Sequence, residues 1–220
     1  ILPIMLEEAE KKGITTWVEP FVGGANMIDK VPEKFERIGY DLNPHTIEAL
    51  IGIRDHVEEL PCEVSEDFYK SIKKTEAHPI NSWVRFECSF GAKLDNGYAR
   101  NTKGANYAQM GLNLALKQSP KIQNVQFICD SYENLEFENC LIYCDPPYQG
   151  TTGYKTGGFD HDKFFEWCRQ QAKNNIVFVS EYNAPDDFIE VWRGEVKTNF
   201  ASTRKKATHN AIEKLFKVVA

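Results

Sequence analysis

The sequence predicts an α/β fold built on a mostly parallel, doubly wound sheet. Short, almost wholly apolar segments alternate with segments of helical spacing at both ends of the 220-residue chain. This alternation is typical of parallel sheets, and continuously apolar strands are expected where helices cover both sheet faces. The last two predicted strands are joined by a polar, basic turn instead of a helix. They are therefore predicted to form an antiparallel hairpin at the sheet edge.

Each element follows from its local pattern. Five strands are predicted before the hairpin, at residues 15–21, 36–43, 125–130, 140–145 and 175–182. Helices are predicted at residues 3–12, 45–60, 108–118 and 161–173. The hairpin strands are predicted at residues 195–200 and 213–219. Asn43 is the expected N-cap of the second helix, with Pro44 in its first turn.

The middle of the chain breaks the alternation. Residues 61–122 contain isolated prolines and a long polar and aromatic stretch before the helix at 108–118. We therefore predict an inserted region at residues 55–122 with a function of its own. Residues 1–54 and 123–220 are predicted to form the α/β domain.

Composition limits the classes of function. The chain is 42% hydrophobic with a formal net charge of −6, which argues against polyanion binding over its whole surface. No stretch approaches the roughly 18 apolar residues of a membrane span, and no secretory signal is visible. A cytoplasmic protein with six reduced cysteines is expected. A zinc site using Cys140 and Cys144 is the weaker alternative, so no metal is predicted.

Polar residues follow the predicted strands. The first strand is followed by the glycine turn of "EPFVGGAN", and the next three by "DLN", "DS" and "DPPY". Because ligands of open parallel sheets bind at the carboxyl ends of the strands, these segments together indicate a site. Each acid also has a plain structural explanation as a helix or turn cap. Asp145 is the hardest to explain in that way, because an acid at the end of an apolar strand needs hydrogen-bond donors.

The glycine turn argues for a ligand without phosphate. "FVGGA" lacks the third glycine of the dinucleotide motif, and no P-loop lysine follows. Asp41, about 20 residues after the turn, is placed to accept ribose hydroxyls. Asp130 is a candidate acceptor for an adenine amino group.

In this order, "EPFVGGAN", "DLN", "CDS" and "YCDPPY" resemble the S-adenosylmethionine-dependent DNA adenine methyltransferases of the Dam type. "CSFGAKLDNGYARN" is similar to a segment of phage-type members, and "EKLF" to their C-terminal strand. The resemblance implies a Rossmann-like methyltransferase sheet with an inserted target-recognition region. It also implies methyl transfer from S-adenosylmethionine to the exocyclic amine of adenine in double-stranded DNA, and a cognate restriction nuclease as a candidate partner in the host.

The resemblance assigns roles to residues. The catalytic group is Asp145, Pro146 and Tyr148. The cofactor group is Phe21, Gly23, Gly24, Asp41, Asp130, Ser131 and again Asp145. The DNA-binding group is Lys93, Tyr98, Arg100, Asn101 and Lys103 in the inserted region, with Arg204, Lys205 and Lys206 in the hairpin.

Two departures and two alternatives remain open. Ala25 stands where many relatives have glycine, and the glycine-lysine segment that precedes the first helix in the family is expected upstream of Ile1. One alternative is amino methylation of RNA or of protein glutamine, whose methyltransferases use a related N-P-P-Y tetrad. The other is a catalytically inactive DNA-binding relative. Aspartate at position 145 and the basic, aromatic insertion disfavour glutamine as the substrate, and the intact tetrad disfavours the inactive relative.

Overall fold

The computed structural model describes residues 1–100, 104–148, 158–198 and 209–219. Its helices are α1 (Leu2–Lys11), α2 (Pro44–Asp55), α3 (Glu66–Ile72), α4 (Pro79–Glu87), α5 (Tyr107–Gln118) and α6 (His161–Ala172). Its strands are β1 (Thr16–Glu19), β2 (Glu36–Asp41), β3 (Val125–Cys129), β4 (Leu141–Cys144), β5 (Ile176–Glu181), β6 (Phe188–Thr198) and β7 (His209–Val218). The chain divides into two compact units.

The first unit comprises residues 1–21, 34–36 and 132–220. Its strands follow the order β1-β4-β5-β7-β6. β4 pairs in parallel with β1 and β5, whereas β7 pairs antiparallel with both β5 and β6. Every residue of β4 and β5 is buried, and both α1 and α6 pack against β5. These strands are apolar except for Ser180 and Glu181 at the end of β5, because neither face of the sheet meets water here.

The second unit comprises residues 22–33 and 37–131. Here β2 and β3 pair in parallel, from Arg37 opposite Val125 to Asp41 opposite Cys129. A hydrophobic core that includes Tyr69 and Trp83 joins α3, α4 and α5. The predicted inserted region, residues 55–122, is therefore largely helical. Its assignment as a separate functional domain stays a prediction.

The predicted fold class is confirmed. The strand pairs are parallel except at the C-terminal hairpin, and Asn43 caps α2 by accepting a hydrogen bond from the His45 amide (3.0 Å). Both hairpin strands begin earlier than predicted, β6 at Phe188 and not at residue 195, and β7 at His209 and not at residue 213. Their mutual pairing determines their lengths, since β6 pairs along the whole of β7. No helix in the described ranges has the length and apolar character needed to cross a membrane.

Candidate active site

The D-P-P-Y tetrad begins where β4 leaves the sheet of the first unit. Leu141–Cys144 are buried, and the next residue, Asp145, is accessible to solvent while Pro146 is buried again. Proline lacks an N–H and fixes φ near −65°, so the two prolines end the strand and stiffen the turn. The sequence therefore places a carboxylate and a rigid carbonyl next to each other at a strand end.

The Asp145 carboxyl lies in an unusual electrostatic environment. Its pKa is raised to about 6, mainly by burial and also by the charges of Glu213 and Glu181, while a hydrogen bond with Tyr148 opposes the rise. The side chain is thus open to solvent on one side and surrounded by protein and negative charge on the others. At neutral pH most molecules carry the carboxylate, which can accept hydrogen bonds from an amine.

Tyr148 is held at both its hydroxyl and its ring. The hydroxyl shares its single proton between Glu213 Oε1, 3.1 Å away, and the Asp145 carboxyl, and the ring meets Tyr182 edge-on with the centroids 4.7 Å apart. Burial and the charges of Asp145 and Glu213 raise the pKa of the phenol, so Tyr148 stays neutral. A neutral ring in a fixed orientation suits the predicted role of stacking against a base, which stays a prediction.

Phe21 belongs to an aromatic cluster in the first unit. Its ring centroid lies 5.3 Å from that of Tyr132, 5.5 Å from Phe164 and 5.8 Å from Phe159. The cluster is formed by the segment after β1, the turn after β3 and the start of α6. The half-buried Phe21 therefore presents a fixed apolar surface, and its predicted contact with the cofactor stays a prediction.

The glycine turn lies in the second unit and is tied to Asp41. The Gly23 amide donates to Asp41 Oδ2 (3.2 Å), and the Asn43 amide donates to Asp41 Oδ1 (2.8 Å). Burial raises the pKa of Asp41, while these two backbone donors counteract the rise. Gly23 has φ +48°, and a Cβ built on it would meet no atom within 4 Å. The turn thus leaves backbone exposed and open space beside a carboxylate.

Asp130 and Ser131 follow β3 in the same unit. The Asp130 amide donates to the Asp41 carbonyl (3.2 Å), and the Ser131 amide donates to Asp130 Oδ1 (2.7 Å). The parallel register of β2 and β3 therefore brings the predicted ribose and adenine acceptors to one edge. The sequence analysis expected this grouping, and the ligand assigned to each residue stays a prediction.

The predicted DNA-binding residues have different environments. Lys93 is exposed, whereas the Tyr98 hydroxyl donates to the Val64 carbonyl (2.7 Å) and Arg100 forms an ion pair with Glu66. Tyr98 and Arg100 thus make contacts within the helical region, and the predicted DNA contacts of all three residues stay predictions. The remaining predicted contacts lie outside the described residues: Asn101, Lys103, Arg204, Lys205 and Lys206.

Three residues near the tetrad escaped the sequence analysis, namely Glu181, Glu213 and His161. Glu181 ends the apolar strand β5 and its side chain is 0% exposed. The rule that singled out Asp145, an acid at the end of an apolar strand, would also have selected Glu181, and Glu19 at the end of β1. Glu213 lies in the "EKLF" segment. His161 had no sequence signal, because its partners are backbone carbonyls.

Fold and tetrad together define an α/β protein with a D-P-P-Y site at a strand end. A family model described as D12 class N6 adenine-specific DNA methyltransferase matches residues 92–211, just over half of the chain. The chain belongs to this family. Members transfer a methyl group from S-adenosylmethionine.

The chain is also similar to an individual methyltransferase. The chain is 28% identical over 200 residues to the Type II methyltransferase M.FokI of Planomicrobium okeanokoites, an alignment covering 78% of this chain and 30% of that protein. It therefore spans less than a third of that relative's length.

Two solved structures show weak similarity. The N-methyltransferase NodS from Bradyrhizobium japonicum WM9 has a TM-score of 0.42 at 8% identity, with 99% of this chain and 98% of that chain covered. An rRNA methylase from Streptococcus thermophilus has a TM-score of 0.38 at 7% identity, covering 98% and 97%.

The residues present fit S-adenosylmethionine. The open space at Gly23 admits a ligand close to the backbone, and the half-buried Asp41 is a carboxylate acceptor of the kind a ribose requires. Among the described residues, no group of three His, Cys, Asp or Glu side chains is arranged to hold a metal ion.

Proposed function

We propose that this protein is a site-specific DNA adenine methyltransferase that methylates the exocyclic amine of adenine. The observation that carries the proposal is Asp145, a solvent-accessible carboxylate at the end of a buried strand, followed by a rigid proline carbonyl. Membership of the D12 class supports the same reaction.

The chemistry depends on the amine. Its lone pair is delocalised into the adenine ring, so it is a poor nucleophile. Asp145 and the Pro146 carbonyl would accept its two hydrogens and turn the nitrogen toward tetrahedral geometry. The carboxylates of Asp145, Glu181 and Glu213 would stabilise the positive charge that develops on this nitrogen.

Cofactor and substrate contacts follow from the same proposal. When bound, S-adenosylmethionine provides a methyl group already activated on a sulfonium sulfur. In the second unit Gly23, Gly24 and Asp41 would hold its methionine and ribose parts, and Asp130 with Ser131 its adenine. In the first unit Phe21 would contact it, and Tyr148 would stack on the target base after it leaves the duplex.

The wider role is part of the proposal. Lys93 and Arg100 in residues 55–122, with the basic hairpin residues 204–206, would contact duplex DNA. The proposal also includes a cytoplasmic location and a cognate restriction nuclease as a partner. The nuclease is supported by the words "Type II" in the name of the relative M.FokI.

Methyl transfer to defined nucleic acids tests the proposal. The chain is incubated with labelled S-adenosylmethionine and either duplex DNA, RNA or a glutamine-containing protein, and the products are digested and identified by mass spectrometry. We expect N6-methyladenine from duplex DNA at one sequence context. Label only in RNA or in glutamine would reassign the substrate, and DNA binding without transfer would favour an inactive relative.

A further inference from the structure

His161 contacts the tetrad from the first residue of α6. Its Nε2 lies 3.1 Å from the Pro147 carbonyl oxygen, and its Nδ1 lies 3.1 Å from the Phe159 carbonyl oxygen. Carbonyl oxygens only accept hydrogen bonds, and a neutral imidazole carries one N–H, so a neutral ring donates to one of these two carbonyls. The imidazole therefore links the tetrad to the residues that lead into α6.

Glu181 faces the same ring nitrogen that contacts Pro147. Its Oε2 lies 3.6 Å from His161 Nε2, while its Oε1 accepts a hydrogen bond from the Tyr182 amide (2.7 Å). The Glu181 side chain is 0% exposed and that of His161 is 16% exposed. A buried carboxylate at this distance favours an N–H on the facing nitrogen, which is the nitrogen that contacts Pro147.

The contact acts on the torsion that proline leaves free. The pyrrolidine ring fixes φ of Pro147 but not ψ, and ψ decides where the Pro147 carbonyl and the following residue point. A hydrogen bond from His161 to that carbonyl fixes ψ and thereby orients Tyr148. Because the two prolines are adjacent, the same restraint limits rotation of the Pro146 carbonyl.

From these contacts we propose that His161 and Glu181 are positioning residues that hold the tetrad in its reactive geometry. The proposal rests on the methyltransferase function proposed above, since Pro146 and Tyr148 are the groups positioned. Neither residue touches the target amine. His161 acts through the Pro147 carbonyl, and Glu181 acts through His161 in addition to the negative charge it contributes near Asp145. A displacement of about 1 Å at a reacting group can lower a rate about 100-fold, so loss of the restraint is expected to slow transfer and leave cofactor binding unchanged.

The test uses His161→Ala, His161→Gln and Glu181→Gln, with His56→Ala as the matched control. His56 forms an exposed pair with Glu59 (2.9 Å). Its replacement therefore removes an imidazole that is paired with a carboxylate, as at His161, but leaves the contacts of the tetrad unchanged. We expect His161→Ala to lower the single-turnover rate about 10- to 100-fold at unchanged cofactor affinity. Free imidazole should restore part of the rate of His161→Ala. The rate of His161→Gln, which retains one donor, should lie between those of His161→Ala and the wild type.

Amide exchange gives a readout that does not depend on activity. Since prolines have no N–H, exchange within the tetrad reports on Asp145 and Tyr148 alone. We expect faster exchange in His161→Ala and Glu181→Gln than in the wild type and in His56→Ala.

Three results would overturn the proposal: an unchanged rate, unchanged exchange, or a rate that falls only with melting temperature and is not restored by imidazole. If the wild type itself transfers no methyl group, the proposed function fails. The exchange data would then still decide whether His161 restrains the tetrad.

Discussion

The tetrad and the glycine turn both place polar groups beside strand ends, but they are constructed differently. In the tetrad, side chains and proline rings fix the position of each acceptor, and three carboxylates surround the reacting end. In the glycine turn, backbone is exposed beside open space, and the restraints from side chains are the Asp41 carboxylate on the Gly23 amide and the Gln118 amide on the Gly24 carbonyl. The first arrangement suits chemistry on a small group, whereas the second suits binding of an extended ligand.

The comparison predicts that substitutions in the tetrad change the rate of methyl transfer, whereas those in the glycine turn change cofactor affinity. The largest effect is expected in the tetrad. Asp145→Ala removes the charged acceptor and should lower the single-turnover rate about 100- to 1000-fold, with cofactor affinity little changed. Rapid-quench kinetics and calorimetry measure the two quantities. Asp187→Ala, which removes an exposed ion pair with Arg169, is the control and should leave both unchanged. Near-normal turnover in Asp145→Ala would refute the assigned role.

The reverse pattern is expected for Asp41. Asp41→Ala removes the acceptor of the Gly23 and Asn43 amides along with the predicted ribose contact. Cofactor affinity should fall about 10- to 100-fold, while the rate at saturating cofactor is retained. Asp55→Ala, on the exposed end of α2, is the matched control. A loss of rate at saturation would mean that the two regions are not separable.

The raised pKa of Asp145 gives a pH dependence in both rate and stability. The rate should fall about tenfold per pH unit below pH 6, as the carboxylate is protonated. The pKa rises from 3.8 to about 6 on folding, so the ionised group destabilises the fold above pH 6, and this effect disappears as the pH falls from 6 to 3.8. Asp145→Asn should therefore unfold at higher urea than the wild type at pH 8, with the difference shrinking toward pH 4. Equal stability at pH 8 would contradict this account.

The smallest effect tests the open space at the glycine turn. Gly23 and Gly13 have φ values of +48° and +66°, and a Cβ on either would meet no atom within 4 Å. Alanine at each position should lower the free energy of unfolding by about 1–2 kcal/mol through backbone strain. Only Gly23→Ala should also weaken cofactor binding, as measured by calorimetry. Equal affinity in the two variants would show that the ligand does not approach Gly23.

Local patterns were sufficient to predict most of the fold and the identity of the tetrad. Apolar runs of four to six residues gave β4 and β5, and the Asn43–Pro44 pair gave the start of α2. The extent of β6 was not predictable, because pairing with β7 determines it.

The supporting residues of the site were harder to predict. His161 and Glu213 meet the tetrad only through tertiary contacts, and for His161 the partners are carbonyls that every residue carries. Glu181 could have been predicted by the rule that selected Asp145, because it is also an acid at the end of a buried strand. Sequence therefore indicates the reacting group more readily than the residues that hold it in place.

The central claim is that Asp145 accepts a hydrogen bond from the target amine, and a double-mutant cycle tests it most directly. Once the methylated adenine is mapped, its duplex is compared with one carrying purine, which lacks the amine, for binding to the wild type and to Asp145→Ala. The account predicts that the wild type binds adenine about 10- to 100-fold better than purine and that Asp145→Ala loses this preference. The same adenine preference in both proteins would contradict it.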